Sequence, residues 1–207
     1  MGMLENFSLL KRYGFKLIPY ALAKSEKEAE QIAEKLGYPV VLKVVSDEIE
    51  HKTDFGGVKV GIRNKETLKL AYGEIVESTR KYKINGILVQ KMARKGIELI
   101  IGGKKDPQFG HMIVLGLGGI YVEIFRDVTA RICPINKKDV EEMLLELKSH
   151  PILVGVRGKK PINMPSLTTL LIKTSQFMQK ENIKEIDLNP VVFDSKGCDI
   201  IDVRFSK

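Results

Sequence analysis

Val40-Val41-Leu42-Lys43-Val44-Val45 is an apolar run broken by one ammonium, and the chain then turns polar: Ser46-Asp47-Glu48-Ile49-Glu50-His51-Lys52-Thr53-Asp54-Phe55-Gly56-Gly57. The run reads as a strand buried on both faces. An ammonium left unpaired among valines costs several kcal/mol or loses its proton, so something anionic should meet Lys43. A buried ion pair, an edge-strand lysine reaching water along its stem, and a phosphate contact all meet that demand.

Outward from this run, helix and strand patterns alternate. Ser25-Glu26-Lys27-Glu28 forms a capping box ahead of a helix with Ala29, Ile32, Ala33 and Leu36 on one face, and Gly37 stops it. Val58 to Ile62 is the next strand, Asn64 caps a helix carrying Leu68, Ala71, Ile75 and Val76, and Ile87 to Gln90 is a strand again. From Ile97 the pattern is strand-rich: Glu98 to Ile101, a turn over Asp106-Pro107-Gln108-Phe109-Gly110, Met112 to Leu115, and Tyr121 to Phe125, an antiparallel meander. Helices follow over 138–147 and 166–179, separated by a Gly/Pro-rich loop from Gly155 to Pro165. Strands Ile183 to Phe193 and Cys198 to Phe205 close the chain. The class is α+β (α/β), with no internal repeat.

The totals narrow the function. A chain of 207 residues with 43% hydrophobic content buries a real core. A net charge of +8 favours polyanionic partners, but no basic block is flanked by aromatics, so nucleic acid is not expected. No stretch reaches about 18 uninterrupted apolar residues, and the amino end lacks a signal pattern, so the expectation is a cytoplasmic protein with no membrane segment. Cys133 and Cys198 have no neighbours at metal-ligand spacing, which excludes a zinc site or a disulfide framework.

Three groups carry candidate chemistry. In the polar loop, Gly56-Gly57 lets backbone N–H groups approach a phosphate and Lys52 adds charge, while His51 is either a solvated surface residue or a functional imidazole. At the carboxyl end, a two-residue hairpin loop at Ser195-Lys196 makes opposite residues sum to 391. That places Asn189 across from Asp202 and Asp187 across from Arg204. Two side-chain oxygens so placed suit Mg²⁺ held partly by substrate phosphates, or the face is polar with an Asp187–Arg204 pair. Leu115-Gly116-Leu117-Gly118-Gly119 imitates a dinucleotide fingerprint, but Ile120 to Phe125 reads as a strand where that fold needs a helix, so a glycine turn or bulge is expected.

Taken in order, Tyr38-Pro39-Val40-Val41-Leu42-Lys43, His51 to Val58, Asp106-Pro107-Gln108-Phe109-Gly110, Gly116-Leu117-Gly118-Gly119 and Asp187-Leu188-Asn189-Pro190 closely resemble the ATP-grasp beta subunit of ADP-forming acetyl-CoA synthetases. The resemblance runs from about Leu9 to Phe205. It implies an ATP-grasp fold with two lobes, 1–93 and 94–207, holding ATP or ADP between their sheets. The activity it implies is acyl-CoA + ADP + phosphate to organic acid + CoA + ATP, with a separate CoA-binding alpha subunit in an α2β2 assembly. Carried over by position, Lys43 contacts the nucleotide phosphates, Gly56 and Gly57 cover them, Gln90, Lys91 and Met92 present backbone groups to adenine, and Glu98 holds the ribose. Asn189 and Asp202 ligate Mg²⁺, Asp187 lies beside the phosphoryl path, and His51 relays the phosphoryl group as phosphohistidine. Arg131 and Gly155-Val156-Arg157-Gly158 also match, with a phosphate or interface role left open. Two other readings remain: a non-catalytic nucleotide-binding regulatory subunit, and another ATP-grasp ligase working through an acyl phosphate without His51.

Overall fold

The computed structural model describes residues 2–49, 52–119, 127–156 and 158–207. The chain forms two compact units, Ile18–Ala93 and Met3–Leu17 with Arg94–Lys207. The first unit runs β1 (Tyr20–Ala23), α2 (Glu26–Leu36), β2 (Val40–Val45), β3 (Val58–Ile62), α3 (Lys65–Ser78) and β4 (Gly86–Lys91), after α1 (Met3–Arg12), which belongs to the second. Its four strands lie in the order β1-β4-β2-β3, all antiparallel. Val40, Leu42 and Val44 of β2 and Ile87 and Val89 of β4 pack with Ala29 and Ala33 of α2 and Leu68, Ala71 and Ile75 of α3. Val76 faces outward instead of joining that helical face.

The helices start and stop for local reasons. Ser25 accepts from the Glu28 N–H at 3.2 Å, while the Glu28 carboxylate turns to the Lys24 N–H at 2.7 Å, one residue earlier than a standard capping box requires. Gly37 takes φ 74°, and Lys91 Nζ donates to the Gly37 carbonyl at 2.5 Å, putting a cation on the helix C-terminus. Asn64 and Thr67 cap α3 reciprocally.

The second unit contains β5 (Ile97–Asp106), β6 (Gly110–Leu117), β7 (Val128–Ile132), α4 (Lys137–Glu146), α5 (His150–Val154), α6 (Met164–Lys180), β8 (Glu185–Asp194), β9 (Gly197–Ile200) and β10 (Val203–Ser206). Its sheet runs β10-β8-β5-β6-β7, with β9 also paired to β8. β5 and β6 fall where the first two strands of the expected meander were placed; its third, expected at 121–125, lies outside the described residues, and β7 pairs with β6 from Val128–Ile132. The single closing strand expected from Cys198 to Phe205 is divided into β9 and β10. Pro190 explains the division, since it has no N–H for the ladder and only its carbonyl bonds across, accepting from the Ile201 N–H at 3.1 Å.

The resemblance counts residues 1–17 with the first lobe, whereas α1 groups with the second unit, beside β10, and the turn after it packs on α6. Phe177 makes edge-to-face contacts with Tyr13, Phe15 and Phe205 at centroid distances of 5.0, 5.6 and 5.5 Å. The Tyr13 hydroxyl donates to Glu181, which also pairs with Lys207. Aromatic burial of this kind outweighs proximity along the chain.

Candidate functional site

In the first unit, strand alternation sorts β2. Val40, Leu42 and Val44 face α2 and α3, so Val41, Lys43 and Val45 face the other side. Lys43 stands opposite Leu88 and Val58, and Val41 opposite Gln90. Lys43 is only 7% exposed, Gln90 1%. Because β2 is an interior strand, Lys43 is not an edge lysine reaching water.

The loop after β2 is tied at both feet. Ser46 Oγ donates to the Lys83 carbonyl at 2.7 Å, Glu48 accepts from the Lys83 N–H at 2.9 Å, and Phe55 meets the Tyr82 ring edge to face at 5.4 Å. Gly56 and Gly57, expected to cover the phosphates, shape this loop. Their N–H groups donate to the Thr53 and Lys52 carbonyls at 3.1 and 2.8 Å. Gly56 has φ 66°, and a Cβ on Gly57 would lie 2.5 Å from Val44 Cγ1. The glycines thus close a tight turn against β2. Glu50 and His51 lie outside the described residues.

Gln90, Lys91 and Met92 leave the first unit as β4 ends. The N–H groups of Lys91 and Met92 donate to the Pro19 and Pro39 carbonyls at 2.9 and 3.1 Å, so these two donors are already used.

In the second unit, one face of the sheet packs on α6, since a Cβ on Gly103 would strike Met178 Sδ at 2.5 Å. Leu99 and Ile101 share that buried face. Glu98, Ile100 and Gly102 therefore point the other way, and cross-strand pairing carries that face to Asp187, opposite Gly102, and to Arg204, opposite Asp187. Asn189 and Asp202 are on it too, by alternation, and the Asn189 N–H donates to the Asp202 carbonyl at 3.3 Å. All the β8–β9 and β8–β10 partners sum to 391, as the two-residue hairpin loop requires. Further along the same face the residues become apolar: Val114, Val128 and Ile132.

Partial burial raises the Asp187 carboxyl above its ordinary value; the Asn189 amide and the Arg204 charge work against that, and Asp202 and Glu185 add to it. Asp187, Asn189 and Asp202 offer only oxygen ligands, a donor set suited to a hard divalent cation. Among the described residues no three His, Cys, Asp or Glu side chains form a complete metal group.

Arg131 is held by Glu146, with contacts of 2.6 and 3.0 Å, and that pairing together with the Thr129 hydroxyl lowers the Glu146 carboxyl to about 2. The arginine is thus engaged in an ion pair, and Arg157 of the Gly155–Gly158 loop lies outside the described residues. Sequence reasoning missed Arg94. Its N–H and guanidinium grip Asp199, and Nη1 reaches Asp194 Oδ1 at 3.0 Å. No local pattern signals partners a hundred residues away.

Two antiparallel sheets, a buried lysine on one and an oxygen-rich end on the other define the class: the ATP-grasp family model, described as an ATP-grasp domain, matches residues 1–206. The chain is 45% identical over 208 residues to acetate–CoA ligase [ADP-forming] II subunit beta of Pyrococcus furiosus, covering 97% of this chain and 88% of that one. The chain belongs to the ATP-grasp family of ADP-forming acetate–CoA ligase beta subunits. It is also 43% identical over 205 residues to acetate–CoA ligase [ADP-forming] I of Archaeoglobus fulgidus, spanning 30% of that protein's length. Among solved structures, the dinucleotide forming acetyl-coenzyme A synthetase 1 of Ca. Korarchaeum cryptofilum with coenzyme A, Ca-AMPCP and HgCl+ superposes with TM-score 0.94 at 41% identity, covering 99% of this chain and 92% of that one. The same enzyme with coenzyme A and Mg-AMPPCP, its phosphohistidine segment pointing towards the nucleotide binding site, gives TM-score 0.87 at 40% identity, covering 98% and 90%.

Proposed function

We propose that this chain is the nucleotide-binding beta subunit of an ADP-forming acyl-CoA synthetase, converting acyl-CoA, ADP and phosphate to organic acid, CoA and ATP. The observation that carries the reading is its match to a separate beta subunit over 88% of that subunit's length. A CoA-binding alpha subunit supplies the rest, in an α2β2 assembly in the cytoplasm; among the described residues no helix is long and apolar enough to cross a membrane.

Lys43, buried on the interior strand β2, meets the nucleotide phosphates as a point charge. Glu98 holds the ribose, and the Gln90–Met92 segment lies along adenine. Asn189 and Asp202 would hold Mg²⁺, which when bound would offset charge on the transferring oxygens. His51 takes the phosphoryl group from a phosphohistidine of the alpha subunit, one N–P bond breaking as the other forms, and passes it to ADP. The N–P bond breaks as the bond from the terminal ADP oxygen to phosphorus forms, and the imidazole leaves neutral once it regains a proton. Asp187, its carboxyl raised by burial, stands beside that path.

The test is reconstitution with an alpha subunit and an assay of acyl-CoA-dependent ATP formation across several acids. ATP should form only with both subunits present, and acid-labile phosphate should be found on His51. His51→Asn should abolish ATP formation while Mg-ADP still raises the melting temperature. Full activity in that variant, or no ATP with any acid, overturns the reading.

A further inference from the structure

The Asn189–Asp202 pair sits where the β8 ladder is weakest. Pro190 gives no N–H, β9 and β10 break at Ile201-Asp202, and the two remaining bonds are 3.1 and 3.3 Å. Two oxygen ligands on such a stretch need to be held from elsewhere, since a ligand that drifts loses its cation.

Arg94 does this from the start of the second unit. Its backbone N–H donates to Asp199 Oδ2 at 3.0 Å and Nη2 to Asp199 Oδ1 at 3.0 Å, with Nε 2.9 Å from Oδ2; Nη1 donates to Asp194 Oδ1 at 3.0 Å. Asp194 closes the hairpin loop by accepting from the Lys196 and Gly197 N–H groups at 2.7 and 2.9 Å. One guanidinium therefore bridges both strands of the hairpin, five residues beyond Asn189 on β8 and three residues before Asp202 on the returning strand. The chain beside it has no slack, because a Cβ on Gly96 would lie 2.1 Å from the Phe193 carbonyl oxygen. A planar fork can hold two carboxylates at fixed angles, which a lysine cannot.

We propose that Arg94 is a positioning residue for the divalent cation: by clamping Asp194 and Asp199 it holds Asn189 and Asp202 in ligand register across the proline-interrupted ladder. This rests on the nucleotide-site reading above.

The test uses purified full chain, titrated with Mg²⁺ at fixed ADP and followed by melting temperature, beside ADP titration in EDTA. Arg94→Lys and Asp199→Asn should each raise the Mg²⁺ midpoint about tenfold, with Mg-free ADP affinity within about twofold of wild type. Arg94→Lys keeps the charge and most of the stem, and Asp199→Asn keeps the shape of the side chain, so each should fold. Lowered melting temperature with an unchanged Mg²⁺ midpoint makes the clamp purely structural and overturns the proposal, as does an equal loss of Mg-free ADP binding. A wild-type chain blind to Mg-ADP sinks the functional reading as well; a responsive wild type with equally responsive variants sinks only the clamp.

Discussion

The Asn189 N–H donates to the Asp202 carbonyl at 3.3 Å, which sets the two residues side by side on neighbouring stretches of the closing hairpin. Two oxygens so placed can grip one cation, and losing either should loosen it. Asn189→Ala and Asp202→Ala should each cut Mg-dependent nucleotide affinity at least about tenfold, a loss of about 1.4 kcal/mol. The gain in melting temperature on adding Mg-ADP should shrink to match, since binding to the folded state is what raises it. An undiminished gain in both variants would remove the pair from the metal site.

Lys43 tests the other sheet. Lys43→Met keeps the stem and drops the charge. The dissociation constant of the folded variant for Mg-ADP should rise at least about tenfold. Unchanged affinity would assign Lys43 to structure alone.

Gly57 separates shape from chemistry in the loop after β2. A Cβ there would lie 2.5 Å from Val44 Cγ1 and 2.9 Å from the Lys52 carbonyl oxygen. Gly57→Ala should cost about 1–3 kcal/mol by overpacking, measured by urea unfolding. Combining it with Val44→Ala should cost less than the two single losses added, since one clash is relieved. Strict additivity would show that the backbone contact alone decides the position.

These residues differ in how plainly the sequence announced them. The 391 register was legible because a two-residue hairpin loop leaves no freedom in pairing, and Lys43 was legible because a charge inside a valine run needs an explanation. The roles of Gly56 and Gly57 were not legible, since the same glycines serve a phosphate or a crowded turn, and only the acceptors of their N–H groups decide. Nor was the place of α1, whose neighbours Tyr13 and Phe15 meet Phe177 across more than 150 residues, or the Arg94 clamp, whose partners lie equally far off in kind. Local pattern shows which residues are anomalous; distant packing decides what each is anomalous for.

Asp187 gives the pH-dependent prediction. Burial lifts its carboxyl above the ordinary value of 3.8, against the pull of Asn189 and Arg204. Below the unfolded value both states hold the proton and the group adds no pH dependence. Between the unfolded and the raised folded value the native state binds more protons, so stability falls as pH rises, and the loss is complete above the folded value. Asp187→Asn cannot ionise and escapes that loss. Without nucleotide or metal, the melting temperature of the variant minus that of wild type should therefore climb from about pH 4 upward and level off once wild-type Asp187 is fully ionised. Mg-ADP should narrow the difference, because a cation beside Asp187 favours its charged form. A difference that stays flat with pH would show that burial does not govern this carboxyl, and would leave Asp187 without the protonation behaviour its place beside the phosphoryl path requires.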